Sequence, residues 1–332
     1  MKNYINKILE HKDLDELELI EIFSNILDNS YDHEDVKSFL LALNNKSDLF
    51  NEIKVLRNII FQHANKIEGF SDAVDMCGTG GDCLNYFNVS TTTAFVVASS
   101  GLKVAKHGNR GVSSKSGSSD VLEALGINIL QEQIRVEECL KQVGIAFLFA
   151  PLYHPILKNV AEVRKKIGKR TIFNILGPLL NPAKVNSQLI GVYDFEIAKT
   201  MCKVLKENGS KNVIIVNGPK GADEITCLGK TKVCELKNGV IKEWIFDPKT
   251  VGLYSDDEGS LIGKDAKFNA DEIIRLLNGK KSSFYNTVVL NAAFVFYLKN
   301  LKNDIQECVN YAEELITTGK AFDKFNQFKN FK

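Results

Sequence analysis

The stretch Ala73-Val-Asp-Met-Cys-Gly78-Thr-Gly80-Gly81-Asp82, followed by Asn88-Val-Ser-Thr-Thr-Thr93 and the apolar run to Ser99, decides the fold. Ala73 to Met76 reads as a short buried strand, and Thr91 to Ser99 as a helix. Between them lie three glycines within four positions. Glycine tolerates positive φ and lets a backbone approach a ligand closely, so successive N–H groups can face a phosphate. The loop is neither a Walker A sequence nor a dinucleotide fingerprint, because Cys83 stands where the last glycine would be and no Gly-Lys-Ser/Thr follows.

Outward from this point, strand and helix signals alternate. Lys103–Ala105, Ala146–Phe149, Gln188–Tyr193 and Asn212–Val216 read as strands, with helices at Asp120–Leu125 and Ile197–Lys206. That rhythm predicts an α/β layer around a central, largely parallel sheet flanked by helices. Thr231–Phe246 alternates about Asn238-Gly239, a hairpin signature. Helices at Ala270–Leu277 and Gln306–Thr317 follow. Upstream, Leu19, Ile22, Phe23, Ile26 and Leu27 fall on one helical face, and two similar sets follow through Ile60. These predict a small helical bundle, its Asp13 and Glu16 resembling an N-terminal cap, joined through the polar stretch Asn65–Asp72. The chain therefore divides into residues 1–68, helical, and 73–332, α/β.

Composition sets further bounds. The 332 residues are 44% hydrophobic and 25% charged, as in ordinary globular proteins. A net charge of +1 gives no global attraction to nucleic acid. No apolar run is long enough to span a bilayer, and Met1–Leu9 lacks a signal core, so a cytosolic protein is expected. The seven scattered cysteines form no CxxC and predict no disulfide framework.

A third loop strengthens the anion reading. Lys106-His107-Gly108-Asn109-Arg110-Gly111-Val112-Ser113-Ser114 and the residues to Ser119 hold three cations and three glycines within fourteen positions. Loops at consecutive strand-to-helix junctions share one sheet edge and can converge. Further along, Asp223 and Glu224 are hard oxygen donors. Neighbours on a strand point to opposite faces, so both reach one site only if the chain turns, as Gly218, Pro219 and Gly221 predict; otherwise they serve two metals.

In order along the chain, Gly78–Asp82, Asn88–Thr91, Lys106–Arg110, Ser113–Ser118, His154-Pro155, Val163-Arg164, Arg170–Asn174, Gly177–Pro182 and Gly221–Ile225 resemble the anthranilate phosphoribosyltransferases. The resemblance spans nearly the whole chain. It implies transfer of the phosphoribosyl group of phosphoribosyl pyrophosphate to the amino group of anthranilate, in tryptophan biosynthesis. It implies a small helical domain, rejoined by a segment at about 163–182, and a homodimer paired through that domain. It would place Gly78, Gly81, Asp82, Asn88, Val89, Ser90, Thr91, Lys106–Ser114 and Ser118 on the phosphoribosyl donor. Gly78, Asn109 and Arg164 would meet anthranilate, with His107, His154 and Pro178 lining its approach. Ser90, Asp223 and Glu224 would serve magnesium, two ions per subunit. Tyr86 stands where the family commonly has a small hydroxyl residue, so a direct contact there is in doubt. A pyrimidine nucleoside phosphorylase on the same fold is the competing enzyme reading. A catalytically silent nucleic-acid binder is disfavoured by the near-neutral charge.

Overall fold

The computed structural model describes residues 1–111 and 115–331. The chain begins with four helices, α1 (Lys2–Leu9), α2 (Glu16–Leu27), α3 (His33–Leu43) and α4 (Phe50–Gln62). The apolar face of α2 is fully inside: Leu19, Ile22, Phe23 and Leu27 have no exposed surface. Phe23 meets Phe39 of α3 edge-on at 5.9 Å. The cap of α2 corrects the expectation at Asp13. Asp15 accepts from Glu18 N at 2.9 Å, and Glu18 reaches back to Asp15 N at 3.1 Å. Both positions offer Asp-x-x-Glu spacing, but only Asp15 leaves Leu14 at the preceding position, where it is buried. Asp13 instead pairs with Lys46 at 2.7 Å.

The larger part alternates β1 (Val74–Met76), α5 (Val89–Ser99), β2 (Val104–Gly108), α6 (Ser118–Ala124), α7 (Gln133–Gln142), β3 (Ile145–Phe149) and the short α8 (Ala150–Tyr153). After α9 (Ala161–Ile167) come β4 (Ser187–Gly191), α10 (Ala198–Glu207), β5 (Asn212–Asn217), β6 (Thr231–Lys237) and β7 (Val240–Phe246). Helices α11 (Ala266–Leu277), α12 (Ser283–Leu298), α13 (Ile305–Thr317) and α14 (Lys320–Lys329) close the chain. Among the described residues the strands form one sheet in the order β3-β2-β1-β4-β5-β6-β7. The first five are parallel, and the last two are an antiparallel hairpin turning at Asn238 (φ 51°) and Gly239 (φ 75°). Two successive positive φ values make the turn that matches strand twist.

Strand side chains alternate between two cores. Ile214 and Val216 of β5 join α5, α12 and α13 on one face; Val213 and Ile215 join α10 and the four-helix bundle on the other. The segment after β3 also packs into the bundle core, with Val163, Ile167, Phe173 and Leu179 buried there. Arg57 of α4 donates to Leu179 O at 3.2 Å, and Asn159 to Leu27 O at 2.7 Å. Helix α12 contains the apolar run Val288–Leu298, broken only by Asn291. Buried on nearly every side, it shows no amphipathic period.

Because β1 to β5 run in the same direction, their carboxyl ends share one edge. From β1 the chain moves outward to β2 and β3, then returns to β4 on the other side of β1. Neighbouring loops leave β1 and β4 in opposite directions, and the crevice this opens is where ligands bind in such sheets.

Candidate active site at the sheet switch point

The glycine loop leaves β1 into that crevice. Cys77 N and Thr79 N donate to Leu189 O and Gly191 O of β4, at 3.2 and 2.8 Å. Gly80 and Gly81 then take positive φ, 65° and 79°. The acidic turn arrives from β5. Pro219–Gly221 form a tight turn with Lys220 at φ 59° and Gly221 at φ 81°, so Asp223 and Glu224 both reach the crevice. Asp223 Oδ2 accepts from Gly80 N at 2.7 Å. The approach is so close that a Cβ at Gly78 would collide with Asp223 Oδ2, and one at Gly191 with Asp223 O.

A cavity of about 20 Å³, room for a water or a bare cation, lies here. It is bounded by Gly78, Ser90, Thr93, Asp223, Glu224 and Asn291 among others. Glu224 Oε2 and Thr93 Oγ1 are buried without a hydrogen-bond partner among the described residues. Burial and the Asp82 charge push the Asp223 carboxyl up to about 7; burial and Asp223 raise Glu224 well above its ordinary value. Clustered, desolvated carboxylates with no ion pair among the described residues are a donor set a divalent cation would satisfy. Among the described residues no three of His, Cys, Asp and Glu make a closed cage. Magnesium commonly takes one or two carboxylates and completes its shell with substrate phosphates and water, so the residues fit it.

Helix α5 points its start at the same cavity. Its N-cap residue, Asn88, makes no cap bond. Its amide donates to Ser116 O at 3.0 Å, and its oxygen accepts from Asn269 at 3.0 Å. Ser90 N and Thr91 N therefore find no acceptor among the described residues, leaving N–H groups and the positive helix end for an anion. Lys106 from β2 is buried and donates to Met76 O at 2.8 Å, beneath the glycine loop.

A second group of residues lies on and against the segment that returns to the bundle. Arg164 of α9 is half-buried, lies over Phe173 at 5.5 Å and has no acceptor or ion pair among the described residues. Burial lowers its pKa, yet a guanidinium keeps its charge in proteins. Such an unpaired fork suits a planar carboxylate. His107 Nδ1 donates to Gly177 O at 3.0 Å, and His154 Nε2 to Leu180 O at 2.8 Å. Burial pushes their pKa values down to about 3 and about 4. Both rings are therefore neutral near pH 7, and they fix the returning segment, with Pro178, against the sheet edge.

Residues 71–322 match the family described as glycosyl transferase family, a/b domain. The anthranilate phosphoribosyltransferase of Alkaliphilus metalliredigens is 42% identical over 98% of this chain and 97% of its own. The chain belongs to the anthranilate phosphoribosyltransferase family. Among solved structures, that of the Thermus thermophilus enzyme superposes with a TM-score of 0.91 at 33% identity, covering 99% of this chain and 98% of that one. The Saccharomyces cerevisiae enzyme, in complex with PRPP and Mg, gives 0.89 at 29% identity over 98% and 96%.

The structure brings Gly78, Gly81, Asp82, Ser90, Thr91, Lys106, Asp223 and Glu224 to one edge. Val89 and Thr91 have buried side chains, and Val89 N already donates to Phe87 O at 2.7 Å. A ligand at Thr91 would meet backbone only. Arg110 turns from the crevice to Asp120 (3.1 Å) and Glu123 (2.6 Å). Asn109 O accepts from Ser118 Oγ at 3.0 Å, bracing Gly108 and Gly111 beside α6. Val112, Ser113 and Ser114 lie outside the described residues. Tyr86 donates its hydroxyl to Glu258 at 2.9 Å.

Sequence reasoning passed over several supporting residues. Asp75, wholly buried, accepts from His107 N at 3.1 Å and Asn181 at 2.8 Å, tying β1 to β2 and to the returning segment. Asn291 donates to Ile225 O at 2.8 Å and so holds the chain just beyond Glu224. Arg170 donates to Gly81 O and stacks on Tyr193 at 3.9 Å. The one available signal was a polar residue inside an apolar run, as at Asn291.

Proposed function

We infer that this chain transfers the phosphoribosyl group of phosphoribosyl pyrophosphate to the amino group of anthranilate. The products are N-(5-phosphoribosyl)anthranilate and pyrophosphate, as in tryptophan biosynthesis. The crevice carries this reading: N–H groups unpaired among the described residues, Lys106 and clustered carboxylates would take a polyanion. The returning segment adds an arginine fork without an acceptor among the described residues, lying over Phe173.

The donor must lose pyrophosphate from the anomeric carbon, building positive, oxocarbenium-like charge on the sugar as in glycoside cleavage. Lys106 and the N–H groups of the glycine loop and of α5 would stabilise the departing negative charge. Ser90, Asp223 and Glu224, with Asp82 adjoining, would hold two magnesium ions, which supply charge neutralisation when bound. Gly81, Asp82, Asn88, Lys106 to Asn109, Gly111 to Ser114 and Ser118 would frame the donor, with Arg110 bracing that loop through its pairs with Asp120 and Glu123. The acceptor is an aromatic amine already neutral at pH 7, so orientation matters more than a strong base. Arg164 would grip its carboxylate, with Gly78, Asn109, His107, His154 and Pro178 around the ring. His107 and His154, neutral and engaged through one nitrogen each, would serve as walls.

The helical part (1–68 with about 163–182) would act as one domain against 73–332, with the crevice between, and would pair two copies into a cytosolic homodimer. Among the described residues no helix is long and apolar enough to cross a membrane. The test is direct. Anthranilate fluorescence should decay only when phosphoribosyl pyrophosphate and Mg²⁺ are both present. Folded protein showing no decay, or showing phosphate-dependent cleavage of thymidine or uridine instead, would overturn the assignment.

A further inference from the structure

The glycine loop and the acidic turn come from strands two places apart in the sheet and meet directly at one bond, Gly80 N to Asp223 Oδ2 at 2.7 Å. A ligand or cation that claims the Asp223 carboxylate competes with that bond, so a second connection is needed to hold their spacing. At the far end of the glycine loop, Asn85, Tyr86 and Phe87 pair with Leu261 to Gly263: Gly263 N donates to Asn85 O at 2.8 Å, Phe87 N to Leu261 O at 2.9 Å, and Tyr86 bridges Ile262. These bonds dock the loop on residues 258–263 and leave the acidic turn untouched. The Tyr86 side chain closes the gap. Its hydroxyl donates to Glu258 Oε1 at 2.9 Å, and Lys220 Nζ donates to Glu258 Oε2 at 2.5 Å.

Lys220 is the pivot of the acidic turn. It stands three residues before Asp223 in a left-handed conformation (φ 59°), which is disfavoured for a residue with a side chain. Among the described residues Glu258 is the one partner of its ammonium. The phenol is committed to Glu258, so a small ligand cannot take the same proton without breaking the chain of bonds. Lys220 and the phenol hold the Glu258 carboxyl below the usual carboxylate range, so it remains an acceptor.

We propose that Tyr86, Glu258 and Lys220 form a clasp that sets the spacing between the glycine loop and the acidic turn. Tyr86 is then a positioning residue for the donor pyrophosphate, acting through the loop and not by touching the substrate. This rests on the reading of the crevice as the phosphoribosyl pyrophosphate site.

The test uses the full-length protein, titrated calorimetrically with phosphoribosyl pyrophosphate in the presence of Mg²⁺, alongside steady-state kinetics. Tyr86→Phe keeps the ring and removes the donor; Glu258→Gln weakens both arms. Each should weaken donor binding by about 3- to 10-fold, the range of one partly exposed hydrogen bond or ion pair. The KM for anthranilate should stay within about twofold. The double variant should be no weaker than the weaker single, because both cut the same connection. Lys320→Ala, which breaks the remote pair with Glu314, should change neither constant; a matching loss there would mark the effect as general and overturn the clasp. Donor affinity of Tyr86→Phe within about twofold of the parent, or losses that multiply in the double variant, would also overturn it. A parent protein that binds no donor would end the function reading and the clasp together; parent binding with unchanged variants would end the clasp alone.

Discussion

The starts of α2 and α5 follow opposite rules. Helix α2 is closed by a reciprocal box between Asp15 and Glu18. Helix α5 has a residue equally able to cap, Asn88, yet its side chain turns to Ser116 and Asn269. At the start of α2 the capping bonds come from near neighbours in sequence. Around α5 there remain open N–H groups, an unpaired Thr93 hydroxyl and an unpaired Glu224 oxygen. Buried polar atoms without partners cost stability, and proteins keep such exceptions where a ligand completes them. The bundle is finished by its own chain; the switch-point crevice awaits substrate.

The strongest way to break this contrast is at the acidic turn. Asp223→Asn with Glu224→Gln should lower turnover on the order of 10³-fold, comparable to losing preorganised charge stabilisation in other active sites. The folded state should survive, because the substitutions remove mutually repelling buried carboxyls. Circular dichroism and Mg²⁺ titration of activity would check both halves. A variant that unfolds would make the pair structural and void the contrast. The next effect is at Arg164. Removing a charge-assisted contact worth about 1.5–3 kcal/mol by Arg164→Ala should raise the KM for anthranilate roughly 10- to 100-fold with kcat little changed. A fall in kcat at constant KM would mean that the arginine acts on the transition state.

The same contrast explains what the sequence could disclose. The hairpin at Asn238-Gly239 and the strand-helix alternation were legible because their signals are local: turn chemistry and period. The glycine loop, Ser90, Lys106, Asp223 and Glu224 were legible because they are residue types out of place in a structural role. Helix α12 was not recognised, since a helix buried all round has no period to read. The cap was placed two residues early, at Asp13, because spacing alone cannot choose between two Asp-x-x-Glu registers. Asp75, Asn181 and Arg170 lie in segments that carry the fold or the resemblance, but their roles were not legible for another reason. Their work is to join β1, the returning segment and the glycine loop, and those contacts exist only once the sheet order is known.

The histidines stand between the two regimes, each satisfied at one ring nitrogen and unpaired at the other. His154 has a folded pKa pushed down to about 4 by burial, against about 6.5 when unfolded. The unfolded chain therefore binds its proton first. The stability tied to neutral His154 is fully present above pH 6.5 and is lost as pH falls toward 4. Asp75, raised to about 6, works in the opposite direction over the same range, so the parent profile alone is ambiguous. His154→Gln keeps a donor for Leu180 O without a titration. Relative to the parent, it should gain about 1.3 kcal/mol between pH 7.5 and 5.5, read as a shallower fall in denaturation midpoint. Parallel profiles would show that the ring reaches water in the folded state.

The smallest effect is the most selective. Asp15→Ala removes the α2 cap and should cost about 1 kcal/mol, seen as a drop of about 2 °C in Tm for a chain of this size. Both KM values should stay where they are, because Asp15 lies on the surface of the bundle. Asn88→Ser supplies a residue that can cap α5, so it should do the reverse: leave Tm level or higher while weakening donor binding, as the new hydroxyl takes an N–H meant for phosphate. If the two substitutions instead behaved alike, the open start of α5 would be an accident of packing, and the division between a self-satisfied bundle and a ligand-completed crevice would fail at the point where it is drawn most sharply.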